Sequence, residues 1–215
     1  MRIAVSGTHY SGKSTLVEAL SRELPAYTTV EEPYYLLEDD GYEFAEVPSL
    51  EDFESQLQRS LESVEGSGSD VILDRCPIDL LGYLLTHRDA DAFRLEDWLP
   101  RVRISIENLD LIVFLPIERP DRIEVASSQD KRFRLAVDEK LNEILIENPF
   151  ELGMNVLKVT GSLHERVQQV LIHLQERGGE MTGSQRPGQL DTHRTGQSGR
   201  CRDSEQTRNK RTPGR

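Results

Sequence analysis

Short runs of Val, Ile and Leu recur along the first 177 residues, separated by stretches in which apolar positions repeat every three or four residues. The runs at residues 3–5, 27–30, 71–73, 111–115 and 156–159 lack the alternation of a half-exposed strand, so they are expected to be buried parallel strands. Between them, Leu50, Phe53, Leu57, Leu61 and Val64 fall at helical spacing, as do Leu135, Leu141, Ile144 and Leu145, and then Leu163, Val167, Val170, Leu171 and Leu174. Strand runs alternating with helical runs predict an α/β sandwich. Gly66, Ser67, Gly68 and Ser69 punctuate the entry to the third strand, and Pro116 and Pro120 bracket the exit from the fourth. The acid-rich stretch 38–54 reads either as a solvated surface or as a loop on the substrate side.

The pattern stops at Arg177. A hydrophobic fraction of 36% and a mean hydropathy of −0.53 are low for a folded chain, and the deficit is concentrated in residues 178–215. There Met181, Leu190 and Cys201 stand among seven glycines and many Ser, Thr, Gln and Arg, too little apolar surface to offset the entropy of ordering. We therefore expect one domain over residues 1–177 and a disordered tail over 178–215. The tail carries a net +4 against −12 for the whole chain, leaving −16 on the domain. An acidic body argues against nucleic acid or an anionic membrane as partner. The basic tail is either a solvated extension or a contact for an anionic partner. Cys76 and Cys201 share no metal-ligand spacing, the opening MRIAVSG runs straight into a phosphate motif, and no apolar run reaches membrane-spanning length; a cytoplasmic protein is expected.

Residues 7–15, Gly7-Thr8-His9-Tyr10-Ser11-Gly12-Lys13-Ser14-Thr15, match GxxxxGK[ST] between a predicted strand and a predicted helix. Glycines at 7 and 12 let backbone N–H groups curl around phosphates, and the helix N-terminus adds positive potential. Lys13 is expected to bridge the β- and γ-phosphates of ATP or another NTP, with Ser14 as a Mg²⁺ ligand and Thr15 as a further hydroxyl. His9 and Tyr10 either face an acceptor or pack within the loop.

Three further segments add candidate chemistry. Glu31-Glu32-Pro33 follows the second strand, at the carboxyl edge where ligands bind in an open α/β sheet, and carries either a base or an ordinary loop carboxylate. The third strand ends in Asp74-Arg75-Cys76-Pro77, so Asp74 is placed to hold Mg²⁺ through water, and Arg75 either clamps a phosphate oxygen or pairs structurally with Asp74. Asp79 contacts substrate or caps the next helix, and Cys76 packs nearby without reacting. Lys131, Arg132 and Arg134 open a helix after the fourth strand and form either a phosphate-covering lid or a solvated basic face. Thr160, Gly161 and Ser162 follow the fifth strand, where they pack against a nucleotide base or cap a helix.

Together these motifs, spanning residues 1 to about 177, resemble the P-loop deoxynucleoside and nucleotide kinase group, which includes small AAA-family ATPase-like proteins. The resemblance implies a three-layer sandwich with a five-stranded parallel sheet in order 2-3-1-4-5, Glu32 as general base, Arg75 as a substrate-holding cation, and Arg132 and Arg134 as lid cations. Cys76 departs from the serine or aromatic residue usual in those kinases. The partners expected are an NTP and a small-molecule acceptor, nucleoside or nucleotide, with a homodimer left open. Two rivals remain: an ATP-hydrolysing regulatory module acting on a protein, and a kinase acting on a nucleic-acid 5′ end, which the acidic body disfavours. A GTPase would need Asn-Lys-x-Asp, whereas Asn209-Lys210 continues as Arg-Thr, and the switch-like Asp79-Leu80-Leu81-Gly82 lies inside an apolar helical run.

Overall fold

A computed structural model describes residues 1–118 and 128–182. Each expected run becomes a strand: β1 Arg2–Ser6, β2 Thr28–Val30, β3 Val71–Asp74, β4 Leu111–Phe114 and β5 Val156–Lys158. They pair in parallel as one sheet in the order β2-β3-β1-β4-β5, as the resemblance implied. The three central strands are almost wholly buried, whereas the edge strands β2 and β5 are shorter and partly open.

Because successive side chains point to opposite faces, each central strand feeds two cores. Ile3, Val5, Ile72, Leu111 and Val113 pack under α1 (Lys13–Glu23) and α7 (Leu163–Thr182), through Leu16, Leu20, Val167 and Val170. Ala4, Val71, Leu73, Ile112 and Phe114 face the other way, against four further helices. These follow the short α2 (Pro33–Asp39) and are α3 (Leu50–Gly66), α4 (Pro77–Thr86), α5 (Leu95–Glu107) and α6 (Ser128–Asn142). Each fully buried Leu or Ile in these layers contributes about 1.5–3 kcal/mol.

Local chemistry sets the helix ends. Ser49 and Asp52 form a reciprocal capping box at the start of α3, and Pro77, which has no N–H to satisfy, opens α4. The expected helix through Leu145 ends α6 at Asn142 and continues as a wider π turn, Glu143–Glu147, which keeps the adjacent Ile144 and Leu145 both in the core. Gly82 lies within α4 where a Cβ would come 2.7 Å from Leu141 Cδ2, so the switch-like tetrapeptide is a helix–helix contact. Helix α7 continues to Thr182, past the boundary expected at Arg177. The remainder of the expected tail, residues 183–215, lies outside the described residues, as do residues 119–127. Among the described residues no helix is long and apolar enough to cross a membrane.

Candidate active site

The phosphate motif occupies the turn between β1 and α1. Gly12, in left-handed conformation at φ 90°, ends the turn, and Lys13 is the first residue of the helix. A Cβ on Gly7 would lie 2.7 Å from the backbone oxygen of Leu115, so the loop's entry is pressed against the end of β4. Lys13 is buried and its Nζ donates to Thr8 O at 3.0 Å. Burial first, and then the charge of Arg75, lower its pKa to about 8, against the opposing pull of Asp79, Glu32 and Asp74. An ammonium held with so little solvation gains from an arriving phosphate. Ser14 and Thr15 are exposed.

Asp74, at the end of β3, has one carboxylate oxygen buried without a hydrogen-bond partner. Burial raises its pKa, with the nearby Ser14 hydroxyl and the Lys13 charge pulling it back down. A hydroxyl and an under-satisfied carboxylate brought together beside the phosphate loop fit the donor set of Mg²⁺, an oxygen-loving ion that keeps several waters. Among the described residues no group of three or more His, Cys, Asp or Glu could hold a metal by themselves.

Arg75 follows with φ 114°, a left-handed conformation uncommon for a side chain larger than glycine, which turns its guanidinium into the site. The partner is Glu32 rather than Asp74: Arg75 Nε donates to Glu32 Oε1 at 2.6 Å, and a second nitrogen pairs with the same oxygen. Burial alone would raise the Glu32 pKa, but the charges of Arg75 and then Lys13 outweigh it and hold the carboxylate below its ordinary range. Another Arg75 nitrogen, Nη1, lies 3.9 Å from Asp79 Oδ2 and makes no hydrogen bond. Asp79, expected to cap a helix or meet substrate, instead reaches back to the phosphate loop. Its Oδ1 accepts from Ser6 Oγ and, at 3.2 Å, from Gly7 N, while α4 has no side-chain cap. Complete burial pushes Asp79 up to about 6, opposed by Arg75 and Lys13. The Cys76 thiol is buried and pushed well up by that burial, so it stays protonated and inert.

Beside the loop opens a cavity of about 950 Å³, walled by α3, α4 and the segment 44–48. The acid-rich stretch thus does border this cavity. Its lining contains Tyr83, which in the sequence is one more position of an apolar helical run. The Tyr83 oxygen accepts from His9 N at 2.6 Å and lies 2.8 Å from His9 Nδ1 and 3.4 Å from Thr8 Oγ1. Its ring stacks on Phe53 at 5.1 Å, and the Arg75 guanidinium sits 5.4 Å from its centroid. His9 is therefore fixed by loop packing, whereas Tyr10 is exposed. Phe53 carries the apolar helical period and looks like a core position in the sequence, yet it lines the cavity together with Gln56. The one signal for Tyr83 and Asp79 is their spacing of four, which puts both on one face of α4.

The basic run separates by environment. Lys131 and Arg132 are exposed, while Arg134 is 1% exposed and donates to two loop carbonyls, Nε to His9 O at 2.9 Å and Nη2 to Tyr10 O at 3.1 Å. Arg134, expected as a lid cation, is buried here and holds the backbone of the phosphate loop through these two bonds. On the loop's other side Arg166 Nη1 donates to Ser11 O at 3.2 Å and its Nη2 pairs with Glu118, which also accepts from Gly161 N. Ser162 caps α7 in a reciprocal box with Glu165.

A family model for the AAA domain matches residues 2–166, well over half of the chain. The chain belongs to the AAA domain family. No curated protein matches it. This AAA domain is similar in fold to deoxyadenosine kinase from M. mycoides with products dCMP and a flexible dCDP bound (TM-score 0.58, 15% identity, 82% of this chain and 100% of that one). It is similar to thymidylate kinase from Candida albicans (TM-score 0.55, 16% identity, 82% and 92%) and to NadR protein in complex with NAD and AMP-PNP (TM-score 0.58, 20% identity, 89% and 51%). At these identities the AAA domain shares with them the P-loop NTPase fold.

Proposed function

We propose that the protein transfers the γ-phosphoryl group of ATP to the hydroxyl of a small acceptor of nucleoside or nucleotide size. The observation that carries this reading is the juxtaposition of Glu32 and Arg75 with the phosphate loop inside one cavity. A protein that only hydrolyses ATP has no need of a roomy aromatic pocket beside its phosphate site. The fold neighbours, which include kinases of nucleosides and nucleotides, support the same direction.

The loop N–H groups and Lys13 hold the β- and γ-phosphates, and the low pKa of Lys13 rises as the anion arrives, so the ammonium is fully charged when it is needed. Ser14 directly, and Asp74 through water, are the residues that would hold Mg²⁺. That ion, when bound, supplies charge neutralisation between the phosphates. Glu32, ionised at neutral pH, accepts the proton of the attacking hydroxyl, and Arg75 holds the carboxylate in place. Arg132, exposed at the start of α6, would meet charge on the transferred group, while Arg134 keeps the loop in shape.

The test is a panel of nucleosides and nucleotides with labelled ATP. Glu32→Gln is expected to lower kcat about 10²–10⁴-fold with little change in the KM for ATP. No labelled acceptor, together with unchanged ATP turnover in Glu32→Gln, would overturn the proposal and favour the regulatory module.

A further inference from the structure

The charges and caps around the cavity bear on what the acceptor is; this inference rests on the phosphotransferase reading. The described walls are aromatic: Tyr34 stacks on Phe44 at 4.3 Å on one side, and Phe53 on Tyr83 at 5.1 Å on the other, with Phe133 5.9 Å from Tyr83. Such walls favour a planar ring. An acceptor that also bore a phosphate would bring about −1.5 to −2 charges and need donors or cations to receive them.

The described lining offers little. Lys13 belongs to the donor loop, and Arg75 pairs with Glu32 through two nitrogens and faces the buried Asp79 carboxylate at 3.9 Å with the third, Nη1. Arg88 is 71% exposed and binds Asp89 at 3.3 Å. His87 has both ring nitrogens engaged, Nδ1 accepting from Asp89 N at 3.1 Å and Nε2 donating to Pro48 O at 3.2 Å. Apart from α1, whose start is the phosphate loop itself, the two helix starts that border the cavity, those of α2 and α3, are closed to anions. At α2 the cap residue is Glu32 and the next is Pro33, which has no N–H. At α3 the Asp52 carboxylate itself accepts from Ser49 N at 2.8 Å and Ser49 Oγ donates to it at 2.9 Å, so an acid already sits where an anion would bind. Glu46 adds a further negative charge to the rim.

We propose that the acceptor is an uncharged, ring-bearing alcohol, a nucleoside rather than a nucleotide, selected by a cavity whose described walls stack rings and offer no seat for a second anion.

The test separates binding from chemistry. The full chain is saturated with Mg²⁺ and AMP-PNP, so that the phosphate loop is filled, and titrated calorimetrically with matched pairs: thymidine and thymidylate, deoxyadenosine and its monophosphate, deoxyguanosine and its monophosphate, deoxycytidine and its monophosphate. For at least one pair the nucleoside is expected to bind tenfold or more tightly than its monophosphate. Glu46→Lys is expected to narrow that gap severalfold by improving only the monophosphate, and high salt to cancel the improvement. A monophosphate that binds as tightly as its nucleoside, or the failure of every pair to bind, overturns the inference. Nucleoside-selective binding without any phosphate transfer upholds it and defeats the phosphotransferase reading instead.

Discussion

Tyr83→Phe removes one oxygen from the junction between the phosphate loop and the aromatic cavity. The ring remains, with its stack on Phe53 and the Arg75 guanidinium over its face. What disappears is the acceptor for His9 N at 2.6 Å and the partner of His9 Nδ1 at 2.8 Å. Leaving a buried N–H unpaired costs about 1–3 kcal/mol. His9 is only half-buried, so water can recover part of this, which places the expected loss near the lower end. For a domain of this size the loss corresponds to a fall in Tm of about 2–8 °C. Because the hydroxyl fixes the loop backbone, the KM for ATP should rise severalfold. The His9→Ala and Tyr83→Phe cycle isolates the ring-nitrogen bond and should give a coupling of about 0.5–1.5 kcal/mol, since His9→Ala leaves the backbone N–H in place. Urea denaturation and ATP kinetics on the four proteins measure both quantities. A Tyr83→Phe protein with wild-type Tm and wild-type KM for ATP would refute the role given to this hydroxyl.

Other perturbations test neighbouring parts of the site. Asp79 has its pKa raised from 3.8 to about 6, so its contribution to stability is fully present below about pH 3.8 and lost as pH rises through about 6. Relative to the untitratable Asp79→Asn, wild type should lose about 2 kcal/mol of stability between pH 4 and pH 7, read from urea midpoints; a pH-independent difference contradicts this. Arg134→Ala should lower Tm and weaken ATP binding together, because two loop carbonyls lose their donors, whereas Arg132→Ala should lower kcat and leave Tm within about 1 °C. Equal effects of the two on Tm would show that the basic run acts as one unit. Gly7→Ala places a Cβ 2.7 Å from the Leu115 carbonyl and should cost about 1–3 kcal/mol while abolishing ATP binding, as measured by melting with and without nucleotide.

The sheet and the phosphate loop were legible in the chain because each is written locally: a buried strand is a run of branched side chains, and the loop needs glycine at fixed offsets. The positions of Glu32 and Asp74, acids at the carboxyl ends of strands, were legible for the same reason. The contacts of Asp79, Tyr83 and Arg134 with the phosphate loop were not. Each residue lies in a helix where its local signal is a cap, a core aromatic or a solvated cation, and its role depends on which residue the fold brings opposite it. Asp79 is read correctly once α4 is known to run beside the loop, where Gly7 N is its partner. The pairing of Arg75 with Glu32 across β3 and β2, rather than with the adjacent Asp74, follows from the left-handed backbone at Arg75. No composition or period announces that conformation.

The most direct measurement of the central claim is mass spectrometry of acceptor and nucleotide after incubation with ATP and Mg²⁺. Wild type is expected to convert one acceptor into its phosphorylated form with an equal yield of ADP, and Glu32→Gln to do so at least a hundredfold more slowly while still binding ATP. Formation of ADP and inorganic phosphate with no acceptor gaining a phosphoryl group, at the same rate in both proteins, would contradict it.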